Sequence, residues 1–312
     1  MMKRIATVIV FILITGSWVG NLLFYNASQL PEPVFLKHYF EVQGALGQMF
    51  ELKYLENKAA DRRVNGLYIK ELPMSSVTIF PDQIQYNHQS MGTARVQFSE
   101  ADLEELDRNS QSNDEDDSIT IQRVLVYYSD GSLEEVDVGE IHVIPDHSVA
   151  DESSEPDRPV SSSSSGSSSE QLGYTSFQIL HPIKLIGVQS RYLDSLSGWL
   201  QAALNSTALE GRYGQEKVEV VFNDYVYTGV PFQNIKFPLS MTAGQSVSAI
   251  YKFDHSAKTA PALKLAVYRF MIHLDFEDES GAKYDYPVYI QYDPYLKESD
   301  VKDIVKARRQ EK

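Results

Sequence analysis

The chain has 312 residues, with 28 Lys and Arg against 43 Asp and Glu, a net charge of −15 and no Cys. That acidity disfavours a nucleic-acid partner, because phosphate contacts need clustered Lys and Arg. The missing Cys excludes disulfides, thiol catalysis, zinc–thiolate and iron–sulfur sites, and a lipid-modified N-terminal cysteine.

Residues 1–4 form a basic end carrying Lys3 and Arg4, and no further charge appears before Glu32. Twenty helical residues from Ile5 to Phe24 would span about 30 Å, the thickness of a bilayer core. The pattern predicts a transmembrane signal anchor over 5–25. The positive-inside rule then keeps the N-terminus cytoplasmic and places the bulk outside. Secretion after signal cleavage is the alternative, since the most apolar stretch, Ile5 to Ile14, is short. Cleavage would, however, put Tyr25 or Trp18 at a position that wants a small residue. Gly16 and Gly20 have the small-xxx-small spacing that lets two membrane helices approach. They mark a candidate transmembrane dimer face, although Gly is also common in such helices.

Residues 34–147 read as a first β-sandwich domain. Ile119 to Tyr128 and Leu133 to Ile144 flank Ser-Asp-Gly-Ser, a strong hairpin signal. Residues 101–118 hold eight acids and one Arg and read as an exposed acidic loop. Within it, Asn113 to Asp117 offers oxygen ligands for calcium but lacks the glycine of a calcium loop, so a solvated loop is the plainer reading.

Residues 148–171 read as a Ser-rich, acidic, disordered linker. Ten Ser fall between 153 and 169, with little apolar surface to offset the entropy of ordering. Together, 101–118 and 146–170 supply −12 of the −15, so the rest of the chain is near neutral.

Residues 172–296 read as a second β-sandwich domain. Tyr192, Leu193, Leu196, Trp199, Leu200, Ala203 and Leu204 recur at helical spacing and predict a helix near 189–205. Leu263 to Phe276 and Lys283 to Tyr292 repeat the closing hairpin of the first half. Phe50 to Glu56 and Val218 to Asp224 also match, which suggests an old duplication. Residues 297–312 are a charged tail that predicts a short C-terminal helix. The fold expected is mainly β: an N-terminal transmembrane helix, then two tandem immunoglobulin-like β-sandwich domains.

Chemistry is sparse. There is no phosphate-cradling loop, His-Glu-x-x-His motif or Gly-x-Ser-x-Gly elbow. Ser299 and Lys302 have Ser-x-x-Lys spacing without its partner motifs. The seven His are scattered, and His142 and His273 read as outward strand residues. No cofactor or metal is expected. The notable cluster is Tyr284, Tyr286, Tyr289, Tyr292 and Tyr295, a candidate partner-binding surface, because exposed Tyr is rigid and amphipathic. Against this, Tyr also fills half-buried strands.

The expected function is a non-catalytic, membrane-anchored, extracytoplasmic binding or spacer module. It would take a protein or a cell-envelope polymer as partner and meet the bilayer through 5–25. The alternatives are an accessory subunit assembled through the transmembrane helix, with a homodimer as one form, and an envelope hydrolase with a spatially assembled acid and His site.

Overall fold

The computed structural model describes residues 2–110, 118–145, 159–211, 217–222, 224–256 and 261–311. Strands take up 52% of the chain, so the expectation of a mainly β protein holds. The helix α1 (Met2–Ala27) opens the chain. Its segment Ile9–Ala27 is long and apolar enough to cross a membrane, and none of its residues is buried by the rest of the protein.

The first half then contributes β1 (Val34–Phe35), β2 (His38–Gly44), β3 (Met49–Asn57), β4 (Val64–Tyr68), β5 (Ser76–Gln85), β6 (Gln89–Gln97), α2 (Glu100–Ser110), β7 (Ile119–Tyr128) and β8 (Leu133–Pro145). The second half contributes β9 (Val160–Ser167), β10 (Leu172–Ile179), β11 (Ile183–Gln189), β12 (Leu200–Ser206), β13 (Val218–Phe222), β14 (Tyr225–Pro231), β15 (Leu239–Met241), β16 (Ser246–Phe253), the short α3 (Pro261–Lys264), β17 (Val267–Asp278), β18 (Lys283–Tyr292) and α4 (Glu298–Gln310).

Two sheets belong to one half each, in the orders β1-β3-β6-β5 and β13-β14-β12-β16-β10-β9. The third runs through both halves in the order β15-β11-β17-β2-β8-β7-β4, with β18 on β17. One core forms where Phe50, Leu52 and Tyr54 meet Phe40, Val124 and Ile141. The other forms where Phe177, Leu204 and Tyr251 meet Leu185, Phe270 and Ile290.

The halves join at β17. One edge of this strand carries β18 along 268–277. The opposite edge carries β2 in parallel at 267–269 and β11 at 273–278. At the fork between them the Met271 N–H has no strand neighbour, and it donates instead to Glu41 Oε2 at 2.8 Å. The Glu41 side chain is 6% exposed and lies 3.7 Å from Arg191 Nε. Tyr39 stacks on Tyr268 across the seam, with ring centroids 5.1 Å apart. Lys53 Nζ reaches Asp293 Oδ1 at 2.8 Å, and Arg269 flanks the same carboxylate. Burial alone would raise the Asp293 carboxyl, but the Arg269 and Lys53 charges hold it below its ordinary value.

His38 sits at this junction, fully buried. Its Nε2 accepts the Lys53 N–H at 2.9 Å, and its Nδ1–H donates to the Val138 carbonyl at 3.3 Å. One tautomer of the neutral ring thus ties β2 to β3 and β8. Opposite it, Gly139 has a φ of +105°, and a Cβ there would collide with the His38 backbone. Only glycine lets β8 approach this closely.

Several expectations need correction. No helix forms near 189–205. Leu200–Ser206 is strand β12, paired with β16 and β14, and Gly198 turns the chain at a φ of +85°. Its Leu and Ala spacing suits both periods, and pairing decides. The Ser-rich linker is ordered in part, since β9 lies antiparallel on β10. A sheet edge offers backbone partners whatever the side chains, and Val160 packs on the second core. Residues 146–158 lie outside the described residues. The acidic loop begins as α2, whose Ser99 and Asp102 cap each other and whose Leu106 is buried. Residues 111–117, with the calcium candidate, lie outside the described residues. The C-terminal helix packs Val301 and Val305 into the first core. His142 is 3% exposed rather than outward, because Tyr192 of the second half covers it.

Burial lowers the His38 pKa to about 3. Above pH 6.5 the ring is neutral whether folded or unfolded, so it contributes no pH dependence. As pH falls below 6.5, only the unfolded chain takes up this proton, and stability drops until about pH 3. At pH 5 the loss is about 2 kcal/mol. His273 has the opposite sign. Its hydrogen bond to Asp285 raises its pKa, so it stabilises below 6.5 and loses that contribution as pH rises through the raised value. Denaturant unfolding of His38→Asn at pH 7 and pH 5 should therefore show a pH difference smaller by about 2 kcal/mol than wild type. An unchanged difference contradicts the buried neutral ring.

Candidate functional site

Strand alternation sorts the five tyrosines. Tyr284, Tyr286 and Tyr292 share the core-facing side of β18 with Val288 and Ile290. Tyr284 donates to Asp278 Oδ2 at 3.0 Å, and Tyr286 packs on Phe177 with centroids 4.6 Å apart. Tyr292 is 4% exposed, lies against Trp199 and Phe253, and donates to the Lys264 carbonyl at 2.9 Å. Burial pushes its hydroxyl up to about 12, so it stays a donor at neutral pH. Tyr289 points outward, 57% exposed, and donates to Gln43 Oε1 at 3.3 Å. Tyr295, beyond the end of β18, is 82% exposed.

Tyr292 and Tyr295 border a cleft of about 570 Å³. One wall is the first turns of α4, with Lys297, Asp300 and Asp303; the other is His255, Lys264 and Gln171. Local chemistry fixes both walls. The Gln171 side chain bridges to the backbone of Asp293, donating to its carbonyl at 2.7 Å and accepting its N–H at 3.1 Å. Asp300 caps α4 by accepting the Lys297 N–H at 2.7 Å. Because α4 packs on the first core and Tyr292 on the second, the cleft lies at the junction of the halves, a common place for ligand sites.

One hydroxyl–imidazole–carboxylate series also exists. Thr120 Oγ1 lies 3.0 Å from His142 Nδ1, and His142 Nε2 lies 2.5 Å from Glu140 Oε1. Such a series can activate a nucleophile, but acyl transfer also needs donors aimed at the developing oxyanion. Thr120 is the second residue of β7, opposite His142 and just before the register shift between Ile121 and Arg123. Among the described residues, no three His, Asp or Glu side chains gather closely enough to hold a metal.

The other sequence candidates lie elsewhere. Gly16 and Gly20 face open space on α1. Ser299 and Lys302 lie in the first turns of α4, where the Ser299 hydroxyl bonds Asp300 at 3.4 Å. Sequence reasoning missed a second exposed patch at the β13–β14 tip, where Val221, Tyr225 and Val226 are 57%, 72% and 63% exposed. Beside it, Tyr174 stacks on Tyr227 at 4.7 Å. The adjacent apolar residues at 220–222 and 225–227 were the available signal.

No family model matches the chain. No curated protein matches it either. Among solved structures it is similar to the secreted serine protease VesC from Vibrio cholerae, with 8% identity and a TM-score of 0.21. That likeness covers 75% of this chain and 49% of the protease, about half its length. A similarity this slight defines neither fold nor chemistry.

The two cleft tyrosines should separate in a stability assay. Tyr292→Phe removes a buried hydrogen bond and should cost about 1 kcal/mol in denaturant unfolding. Tyr295→Ala should stay within about 0.5 kcal/mol of wild type.

Proposed function

We propose that the chain is a membrane-anchored, extracytoplasmic binding module that performs no catalysis and holds a polymer chain of the cell envelope in the Tyr295 cleft. The apolar α1, unburied along Ile9–Ala27, supports the anchor. The strand orders support two immunoglobulin-like sandwiches. In the first, β1-β3-β6-β5 faces β2-β8-β7-β4, with the leading strand divided between the two sheets. In the second, β9-β10-β16 faces β11-β17-β18.

The observation that carries the proposal is the 82% exposed ring of Tyr295 beside a roomy cleft whose largely apolar lining is edged by charged and amide side chains. A sugar presents C–H faces that stack on an aromatic ring and hydroxyls that seek mixed donors and acceptors. Gln171, Lys264, Lys297, Asp300 and Asp303 supply both kinds around one ring. The balance of charges suits a neutral or mixed polymer better than a polyanion. A second reading, a protein partner gripped by Val221, Tyr225 and Val226, is favoured by their exposure at one hairpin tip.

Co-sedimentation of the full-length protein in detergent with insoluble envelope glycan tests both readings. Tyr295→Ala with Asp303→Ala should weaken binding at least about tenfold, while Tyr225→Ser with Val226→Ser should leave it unchanged. The opposite pattern would transfer the function to the hairpin tip.

A further inference from the structure

The C-terminal helix brings a line of cations to the end of the apolar helix. Lys302, Lys306 and Arg309 lie at helical spacing on α4 and line a cavity of about 380 Å³. The opposite wall is Phe24, Ala27 and Ser28 of the α1 end, together with His88. The contact with α1 is specific. Arg309 Nη1 donates to the Asn26 carbonyl and, at 3.4 Å, to the Gln29 carbonyl. His88 packs edge-on against Phe24 and Tyr25, with centroids 6.2 and 5.7 Å away.

Ordinary helix chemistry accounts for Arg309, because a cation in the last turn complements the macrodipole. It does not account for Lys302, which stands in the first half of α4, where a cation gains nothing from that dipole. Lys302 and Lys306 are exposed and make no ion pair among the described residues. The one acid in the cavity wall, Glu298, directs its carboxylate at the Asn87 N–H, 3.1 Å away. The cavity therefore carries a net positive charge in a chain whose net charge is −15.

We propose that this cavity binds the phosphate of an anionic lipid headgroup, with Lys302, Lys306 and Arg309 as its ligands and Phe24 guiding the acyl chains along α1. The proposal rests on α1 being a membrane span, which sets the cavity at headgroup level. The occupant follows from charge complementarity and from continuity with the apolar helix. A soluble anion would have no use for the apolar wall, and acyl chains alone would have none for three cations. A cavity of this volume suits a small headgroup.

The test uses the full-length chain reconstituted in lipid nanodiscs, either purely zwitterionic or containing phosphatidylglycerol. Acetylation rates of Lys302 and Lys306 are followed by mass spectrometry. Each lysine should be protected about fivefold more in the anionic discs, with the difference fading at high salt. Lys302→Arg with Lys306→Arg should retain the thermal stabilisation that anionic lipid gives, and Lys302→Glu with Lys306→Glu should lose it while keeping the wild-type fold in zwitterionic discs. Insertion into both discs with equal lysine rates overturns the proposal and leaves the anchor standing. Failure to insert into either disc overturns the anchor and the proposal together. Equal protection by inorganic phosphate in zwitterionic discs would assign the cavity to a free anion and overturn the lipid.

Discussion

Everything in this architecture depends on the three-residue parallel seam between β2 and β17. By itself such a short ladder holds little, and its open edge at Met271 would leave a buried N–H unpaired. An unpaired buried amide costs about 1–3 kcal/mol. The Glu41 carboxylate removes that cost by accepting the Met271 N–H where β17 passes from β2 to β11. Arg191 offsets the Glu41 charge, and Asp293 does the converse for Lys53 and Arg269. The seam is therefore built from charges that are tolerable only when both halves are in place.

That constraint positions the rest. With the seam closed, α4 leaves the end of β18 in the second half and lands on the first core through Val301 and Val305. The same path opens the Tyr295 cleft on one side of the helix and carries Arg309 to the end of α1 on the other. Both surfaces with proposed ligands thus depend on one thirteen-residue helix whose direction the seam determines.

The sequence revealed what local pattern controls. Alternating β-branched and aromatic residues around Ser-Asp-Gly-Ser and Glu-Asp-Glu-Ser-Gly located both closing hairpins to within a few residues. The uncharged N-terminal run marked α1. What it did not reveal was set by partners distant in the chain. Leu200, Ala203 and Leu204 fit a helix as well as a strand until β16 and β14 pair with β12. Alternation put Tyr284 and Tyr286 on one face but did not say that this face is the core. His142 is buried only because Tyr192 reaches it from the other half, and the Ser run becomes β9 only because β10 offers an edge. In 101–118 the many acids hide the apolar spacing of Leu103 and Leu106, which becomes a helix face only because Leu106 reaches the first core.

The central claim is that the two halves stand or fall through their common sheet. Native-state hydrogen exchange of the full-length chain, under rising denaturant, tests it most directly when wild type is compared with Gly139→Ala. The added Cβ strikes the His38 backbone in the first half. The account predicts that amides of β3 and β6 and those of β10 and β16 open with one free energy, and that Gly139→Ala lowers both sets equally. Two separate opening energies, with only the β3 and β6 amides weakened by Gly139→Ala, would contradict it.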